Sequence, residues 1–174
     1  KLLALRQCPK RLWLEVHHPE LREDSKTTEA SFQIGHQVGD IARRIYDPEG
    51  RGALIDPKAE GFTRAFKRST ELLDASQPIF EAGFSAGGAL AFADVMLPEQ
   101  KGRKKAWRMI EVKSSTSVKD YHRDDVAVQA FVAQAAGVPL ESIELAHIDS
   151  SWTYPGDEDY RGLLKENDLT EEAF

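Results

Sequence analysis

Cysteine and long apolar runs are almost absent from this chain of 174 residues. Its one cysteine, Cys8, cannot form an internal disulfide, and a single thiolate cannot build a zinc site from cysteines alone. The longest apolar runs fall far short of the roughly 20 residues that a helix needs to span a bilayer, and no secretory signal pattern opens the sequence. We therefore expect a cytoplasmic location and no membrane partner.

The length and composition are typical of one globular domain. The chain is 41% hydrophobic and 30% charged, which is ordinary for a folded protein. A chain of this length buries about 70% of the surface that its unfolded form exposes, so its core needs no disulfide or metal. We predict a single domain over residues 1–174. Because the sequence begins at Lys1 without methionine and ends abruptly at Phe174, we also expect a fragment of a longer protein, with further domains or a partner protein beyond Phe174.

The pattern of apolar residues predicts an α/β fold in which a central mixed sheet is flanked by helices. Strands are expected at about 79–86, 89–97, 106–114 and 143–148, with room for a short strand at 53–55. Helices are expected at about 28–46, 59–74 and 119–136, after a short N-terminal helix broken near Pro9. After Trp152 the chain is acidic and turn-rich, with a short helix at its end.

Two adjacent glycines, Gly87 and Gly88, separate the first two long predicted strands. This is a two-residue hairpin signal, because both central residues of the favoured turn need positive φ. Counting back from such a turn places Glu81 directly opposite Asp94, with their Cβ atoms about 4.5–5.5 Å apart. Two carboxylates at that distance repel each other unless a cation lies between them or one of them is protonated.

The third long strand carries Glu111 and Lys113, which share one face because they are two residues apart. Val112 between them points into the core with Ile110. Apolar residues surround Asp94, so a charge there is costly without a partner. Hard divalent cations prefer oxygen ligands, and a nearby lysine can position water or stabilise developing negative charge. The set predicts metal-dependent phosphodiester hydrolysis; the alternative is an exposed Glu-X-Lys ion pair on a solvated sheet.

The order of these residues resembles the PD-(D/E)XK nuclease superfamily, and more narrowly its RecB-type branch, which includes CRISPR-associated adaptation exonucleases. The resemblance spans roughly residues 6 to 150. It matches His36 in Phe-Gln-Ile-Gly-His-Gln-Val-Gly, Asp94 in Ala-Asp-Val, and the Glu-X-Lys of Glu111 and Lys113. It also matches Gln129 on the next helix. The opening Gln-Cys-Pro-Lys-Arg-Leu-Trp-Leu is similar to the start of these proteins.

One position departs from the family pattern. The family has Tyr four residues after the helical Gln, whereas this chain has Ala133, and Tyr121 two turns upstream is a candidate substitute. Tyr121, Asp125 and Gln129 are spaced by four and share one helix face. The alternative for that face is simple solvation, with Asp125 pointing outward.

The resemblance implies a restriction-endonuclease-like core and a DNA nuclease that uses Mg²⁺ or Mn²⁺. It implies metal binding by His36, Asp94, Glu111 and Val112. Lys113 would orient the attacking water and Gln129 would assist, while Glu81 is either a second acid of the site or the partner of a basic residue. His36 retains the alternative of a structural helix residue.

A net charge of −6 argues mildly against nucleic-acid binding, but the local distribution matters more than the sum. The largest basic cluster lies between the strands of Asp94 and Glu111 and comprises Lys101, Arg103, Lys104, Lys105 and Arg108. We predict phosphate contacts from Arg103, Lys104 and Lys105, together with Tyr121. The alternative is a solvated hairpin tip.

Many members of the RecB-type branch hold an iron–sulfur cluster with one cysteine near the start and three near the end. Cys8 matches the first, and the other three are absent from these 174 residues, so we expect no cluster in this chain. Two other functions remain open. One is a catalytically inactive nucleic-acid-binding domain of the same fold, and the other is a metal-dependent hydrolase of a small phosphorylated substrate.

Overall fold

A six-stranded mixed sheet forms the centre of the protein, with its strands in the order β1-β2-β3-β4-β5-β6. The computed structural model describes residues 2–23, 25–101 and 104–173, but not the side chains of residues 2, 3, 101 and 104. The strands are Ala53–Leu54 (β1), Ile79–Ala86 (β2), Ala89–Lys101 (β3), Lys104–Lys113 (β4), Leu140–Ile148 (β5) and Leu164–Asp168 (β6). β1 runs parallel to β2 and β4 parallel to β5, while the other neighbours are antiparallel.

The chain divides into two compact units, Lys1–His36 and Gln37–Phe174, and the second contains the whole sheet. The helices are Leu2–Gln7 (α1), Pro9–His17 (α2), Lys26–Tyr46 (α3), Pro57–Glu60 (α4), Phe62–Leu72 (α5), Asp120–Ala135 (α6) and Thr170–Ala173 (α7), with a 3-10 turn at Pro19–Leu21. None of the helices in the described ranges is long and apolar enough to cross a membrane.

The predicted α/β class, a mixed sheet flanked by helices, is confirmed. Two elements differ from expectation. The helix predicted at 59–74 is divided at Gly61, whose φ of +80° ends α4 before α5 begins. The tail predicted to be turn-rich contains β6, which pairs antiparallel with β5. Its sequence, Leu-Lys-Glu-Asn-Asp, lacks the apolar alternation that predicts a strand. The strand forms at the edge of the sheet because its backbone pairs with β5, which does not require apolar side chains.

The core consists of two clusters of buried side chains. The larger one includes apolar residues of α5, α6 and most strands, among them Ala65, Met109 and Val126. The smaller cluster contains Phe80, Val95, Ile110 and Ala146. Phe80 pairs with Val95, and Val95 pairs with Ile110, so the cluster runs across β2, β3 and β4 at one level. Each of those three strands carries an acidic residue next to its member of the cluster.

Gly83 permits close packing between α5 and the sheet. A Cβ atom added at this position would lie 2.6 Å from Cε1 of Phe92 and 2.8 Å from Cδ1 of Phe66. The two rings stack with their centroids 5.6 Å apart. The missing side chain of Gly83 is therefore what lets an α5 ring and a β3 ring meet over β2.

We predict that Gly83→Ala lowers the free energy of unfolding by about 1–3 kcal/mol, since the added methyl group overpacks the Phe66–Phe92 contact. Gly39→Ala is the matched control. A Cβ there meets no described heavy atom within 4 Å, so the same change in α3 should stabilise by up to about 1 kcal/mol. Urea unfolding of both variants measures the difference, and equal effects would contradict this account of Gly83.

Candidate active site

Three acidic residues lie at the same level on three adjacent strands, and we call Glu81, Asp94 and Glu111 the acid row. The predicted hairpin register is confirmed, because Ala86 pairs with Ala89. The pairs of β2 with β3 on either side of Glu81 place it opposite Asp94. The pairing of Val95 with Ile110 likewise places Asp94 opposite Glu111. The acid row therefore crosses β2, β3 and β4 beside the smaller apolar cluster.

The backbone of Glu81 is unusual. Its φ is +57°, a left-handed conformation that few residues other than glycine adopt. It lies inside a paired strand, and the register with β3 is the same on both sides of it. The flanking pairs thus maintain a conformation that costs on the order of 1–3 kcal/mol, at the level where the carboxylates meet.

Backbone and side-chain donors fix the two inner acids. The Val112 amide donates a hydrogen bond of 2.8 Å to Oδ2 of Asp94. Glu111 is only 4% exposed, and Nε2 of Gln129 donates to its Oε2 at 2.8 Å. The predicted core orientation of Val112 is confirmed, since its side chain packs against the smaller apolar cluster. Val112 therefore contacts the site through its backbone N–H.

Lys113 joins the acid row to α6. Its Nζ lies 2.5 Å from Oε1 of Glu111 and 2.6 Å from Oδ2 of Asp125. Asp125 thus points toward the sheet, and the alternative in which it faces outward is wrong. Gln129 is 7% exposed, and its buried Oε1 has no hydrogen-bond partner among the described residues. That oxygen can accept a hydrogen bond from a ligand or water.

Burial and mutual repulsion shift the pKa values of the acid row upward. Burial and the Glu81 carboxylate raise the pKa of Asp94 to about 6. Burial, followed by the charge of Asp94, raises the pKa of Glu111 well above its usual range. Burial and Glu111 also raise the pKa of Glu81. Burial alone would lower the pKa of Lys113, but the carboxylates of Glu111 and Asp125 outweigh burial and raise it.

The acid row has the donor chemistry of a divalent-cation site, although no group of three or more His, Cys, Asp or Glu within the described ranges is arranged as one. Carboxylate oxygens are the ligands that Mg²⁺ and Mn²⁺ prefer. The charge of Glu81 raises the pKa of Asp94, and the charge of Asp94 raises the pKa of Glu111, so a cation at this level of the sheet would offset the repulsion. The side chains of the acid row therefore offer the type of donor that such an ion prefers.

The structure does not test the roles of the other predicted site residues, which are His36, Tyr121 and the basic residues of the β3–β4 hairpin. His36 is an exposed residue of the first compact unit, and its role as a metal ligand stays a prediction. Tyr121 is 46% exposed and packs edge-on against His122. Arg103 lies outside the described residues, as does the side chain of Lys104. Lys105 is exposed and donates a hydrogen bond to the Asp74 carbonyl, so the predicted phosphate contacts remain untested.

Two buried histidines near Lys113 were missed by sequence reasoning, because neither has a ligand-like spacing. His147 pairs with Lys113 across β4 and β5. The ring of His122 receives a hydrogen bond of 3.3 Å from the Lys119 amide at the start of α6. Burial and the charge of Lys113 lower the pKa of His122, which keeps this ring neutral at pH 7. The sequence signal for Asp125 was its spacing of four from Gln129.

No protein-family model and no curated protein matches this chain. One solved structure, described as the crystal structure of SSO0001, is similar with a TM-score of 0.31 and 16% sequence identity. The match covers 97% of this chain and 75% of that chain. A similarity of this size carries no argument about function.

We predict that Asp94→Asn makes the metal-free protein less sensitive to pH. A carboxyl group whose pKa rises on folding stabilises the fold below its unfolded pKa near 4, and this stabilisation is lost as the pH rises through about 6. Between pH 4 and pH 8 the wild type should therefore lose on the order of 2 kcal/mol more than the variant.

Urea unfolding in EDTA at several pH values provides the measurement. Asp159→Asn is the control. A hydrogen bond from Arg161 lowers the pKa of Asp159 to about 2, so this carboxyl group changes the free energy of unfolding mainly below pH 4. Its profile should match the wild type. Parallel profiles for Asp94→Asn and wild type would show that Asp94 is not under the described repulsion.

Proposed function

We propose that this chain is a metal-dependent nuclease that hydrolyses phosphodiester bonds of DNA with Mg²⁺ or Mn²⁺. The observation that carries the proposal is the acid row together with Lys113, whose ammonium lies 2.5 Å from Glu111. The proposal includes a restriction-endonuclease-like core for the mixed sheet. It draws further support from the order Glu81, Asp94, Glu111, Lys113 and Gln129, which resembles the RecB-type PD-(D/E)XK nucleases.

Asp94 and Glu111 would hold the cation, with Glu81 adding negative charge at the same level. When bound, such a cation polarises a phosphate and makes hydroxide available near neutral pH. Deprotonation of the two carboxyl groups must accompany binding, because their pKa values are raised in the free protein. Cation binding should therefore be tighter at pH 8 than at pH 5.

Lys113 and Gln129 would act on the phosphate and on water. The ammonium of Lys113 keeps its proton near neutral pH, because two carboxylates raise its pKa. A fixed positive charge of this kind stabilises the negative charge that builds on a phosphate during hydrolysis. Gln129 fixes Glu111 through Nε2, and its buried Oε1 remains available to orient water.

The basic hairpin between β3 and β4 would contact the DNA backbone. Lys105 is exposed in the described part of this hairpin, which connects the strands of Asp94 and Glu111. Phosphate contacts of this kind weaken as salt concentration rises, because binding releases counterions from the DNA. The same surface would contact the phosphates of single-stranded and of double-stranded DNA.

One observation favours the inactive nucleic-acid-binding domain as a second candidate. Ala133 occupies the position where the resembled family has tyrosine, and Ala133 is fully buried in the larger apolar cluster. A tyrosine side chain does not fit there without repacking. The contribution that the family draws from that tyrosine is thus missing at this position, unless Tyr121 supplies it.

We expect Mn²⁺ or Mg²⁺ to support cleavage of labelled single- or double-stranded DNA and EDTA to abolish it. Lys113→Ala and Asp94→Ala should each reduce the rate by about 100-fold or more, since each removes a charge that the reaction uses. Lys165→Ala, which removes an exposed lysine of β6, is the control and should cleave normally. Circular dichroism checks that each variant is folded.

The outcomes separate the two candidates. Cleavage that survives in both Lys113→Ala and Asp94→Ala would rule out this mechanism. Absence of cleavage by the wild type, together with no change in its melting temperature on addition of Mn²⁺, would favour the inactive binding domain.

A further inference from the structure

The ammonium of Lys113 has two carboxylate partners on different elements. Glu111 on β4 lies 2.5 Å from Nζ, and Asp125 on α6 lies 2.6 Å from it. The side chain of Lys113 is 23% exposed, so most of it is withdrawn from water. The proposed nuclease site uses Glu111 as a cation ligand and gives no role to Asp125.

Both carboxylate oxygens of Glu111 already have partners, with which a bound cation would compete. Oε1 is paired with Lys113, and Oε2 accepts the hydrogen bond from Gln129. A divalent cation at Glu111 draws on the same carboxylate charge and repels the ammonium of Lys113. A half-buried ammonium that loses its partner is strongly destabilised, and it would leave its place beside the acid row unless a second partner holds it.

We propose that Asp125 is a positioning residue, which holds the ammonium of Lys113 beside the acid row while Glu111 is committed to the cation. This inference rests on the proposed function and deepens it. Asp125 itself contacts neither the cation nor the phosphate. It acts through Lys113, whose ammonium it keeps oriented and within reach of the reacting groups.

The geometry of β4 and α6 makes Asp125 suited to this role. In the described ranges two side-chain hydrogen bonds connect the elements: Glu111 with Gln129, and Lys113 with Asp125. Residues two apart on a strand are separated by about 6.6 Å, and residues four apart on a helix by about 6 Å. The two spacings match, so the helix presents one partner to each strand residue. The buried Val126 packs α6 into the core and fixes this alignment.

Among the charged groups near Lys113, Asp125 is the second carboxylate that binds its ammonium. The titratable groups around Lys113 and its partners include Glu111, Asp94, Glu81, Asp125, His122 and, paired with Lys113 on β5, His147. Asp94 is engaged by the Val112 amide, and the neutral ring of His122 carries no negative charge. Asp125 is the carboxylate that is bonded to the ammonium and lies outside the acid row.

The first arm of the test needs neither metal nor DNA. In protein labelled with ¹⁵N-lysine, an ammonium held by carboxylates exchanges its protons slowly and gives an NMR cross-peak, which Lys113→Arg assigns. Glu111→Gln imitates a Glu111 whose charge is neutralised by a cation. The Lys113 cross-peak should persist in Glu111→Gln and in Asp125→Asn, and disappear in the double variant. Persistence in the double variant would overturn the proposal.

Asp124→Asn is the matched control in the Glu111→Gln background. It makes the same change of charge on the same helix, but its side chain points about 100° around the helix from Asp125. The cross-peak should remain in this control. Its loss would mean that any reduction of charge on α6 releases Lys113, which would also overturn the proposal. The amide spectrum of each variant establishes that it is folded.

The second arm uses Mg²⁺ and DNA. With saturating Mg²⁺ the cross-peak should remain in the wild type and vanish in Asp125→Asn, and kcat should fall at least 10-fold in that variant, with rescue by Asp125→Glu. Unchanged kcat in Asp125→Asn would contradict the positioning role. If the wild type neither cleaves nor responds to Mg²⁺, the nuclease proposal fails, while the metal-free double variant still decides whether Asp125 anchors Lys113.

Discussion

The repulsion among the carboxylates of the acid row is the constraint on which the rest of the site depends. Glu81, Asp94 and Glu111 occupy one level of three strands, and burial, which is greatest at Glu111, weakens the screening of their charges by water. Lys113 is the ammonium that contacts the row in the described residues, and it is shared with Asp125. The folded protein therefore holds more acid than base here, and burial, followed by the neighbouring carboxylates, raises the pKa values of all three acids.

The fold tolerates this excess because apolar packing holds the strands independently of it. The smaller apolar cluster joins the same three strands one residue away from each acid. On the other side, α6 is held by Val126 and Ala130 in the larger cluster, and it presents its polar partners to β4. Burial of the larger of these side chains, such as Val126, contributes roughly 1.5–3 kcal/mol each, which offsets the electrostatic cost of a few strained carboxylates.

Much of this arrangement is predictable from sequence, because it depends on local periodicity. Gly87 and Gly88 fix the hairpin register, and the register places Glu81 opposite Asp94. The partner of Asp125 was not predictable, since it depends on how α6 lies along β4 in three dimensions. The left-handed φ of Glu81 and the polar strand β6 were also missed. In each of these cases tertiary contacts override the local preference of the residues.

A second charged network on β4 shows why the acid row is the stronger functional candidate. Arg108 pairs with Glu144 on β5 and with Glu166 on β6, and the Tyr46 hydroxyl donates to Glu166 at 2.7 Å. Each carboxylate of that network has a direct partner in a guanidinium or hydroxyl donor. The hydrogen bonds of this network are therefore satisfied within the protein, as is typical of a structural ion-pair network.

The polar groups of the acid row are not all satisfied in this way by the described residues. Among the described residues its acids outnumber the ammonium that contacts them, Glu81 adopts a strained backbone, and the Gln129 amide keeps a buried oxygen without a donor. Excess charge, backbone strain and a buried acceptor without a donor each cost free energy in the folded protein. Such features are typical of functional sites. Both networks use the same strand, so position in the sheet does not separate them. What separates them is that each carboxylate of the Arg108 network has a direct donor, whereas the acid row combines an excess of acid with the unpartnered Oε1 of Gln129 in the described residues.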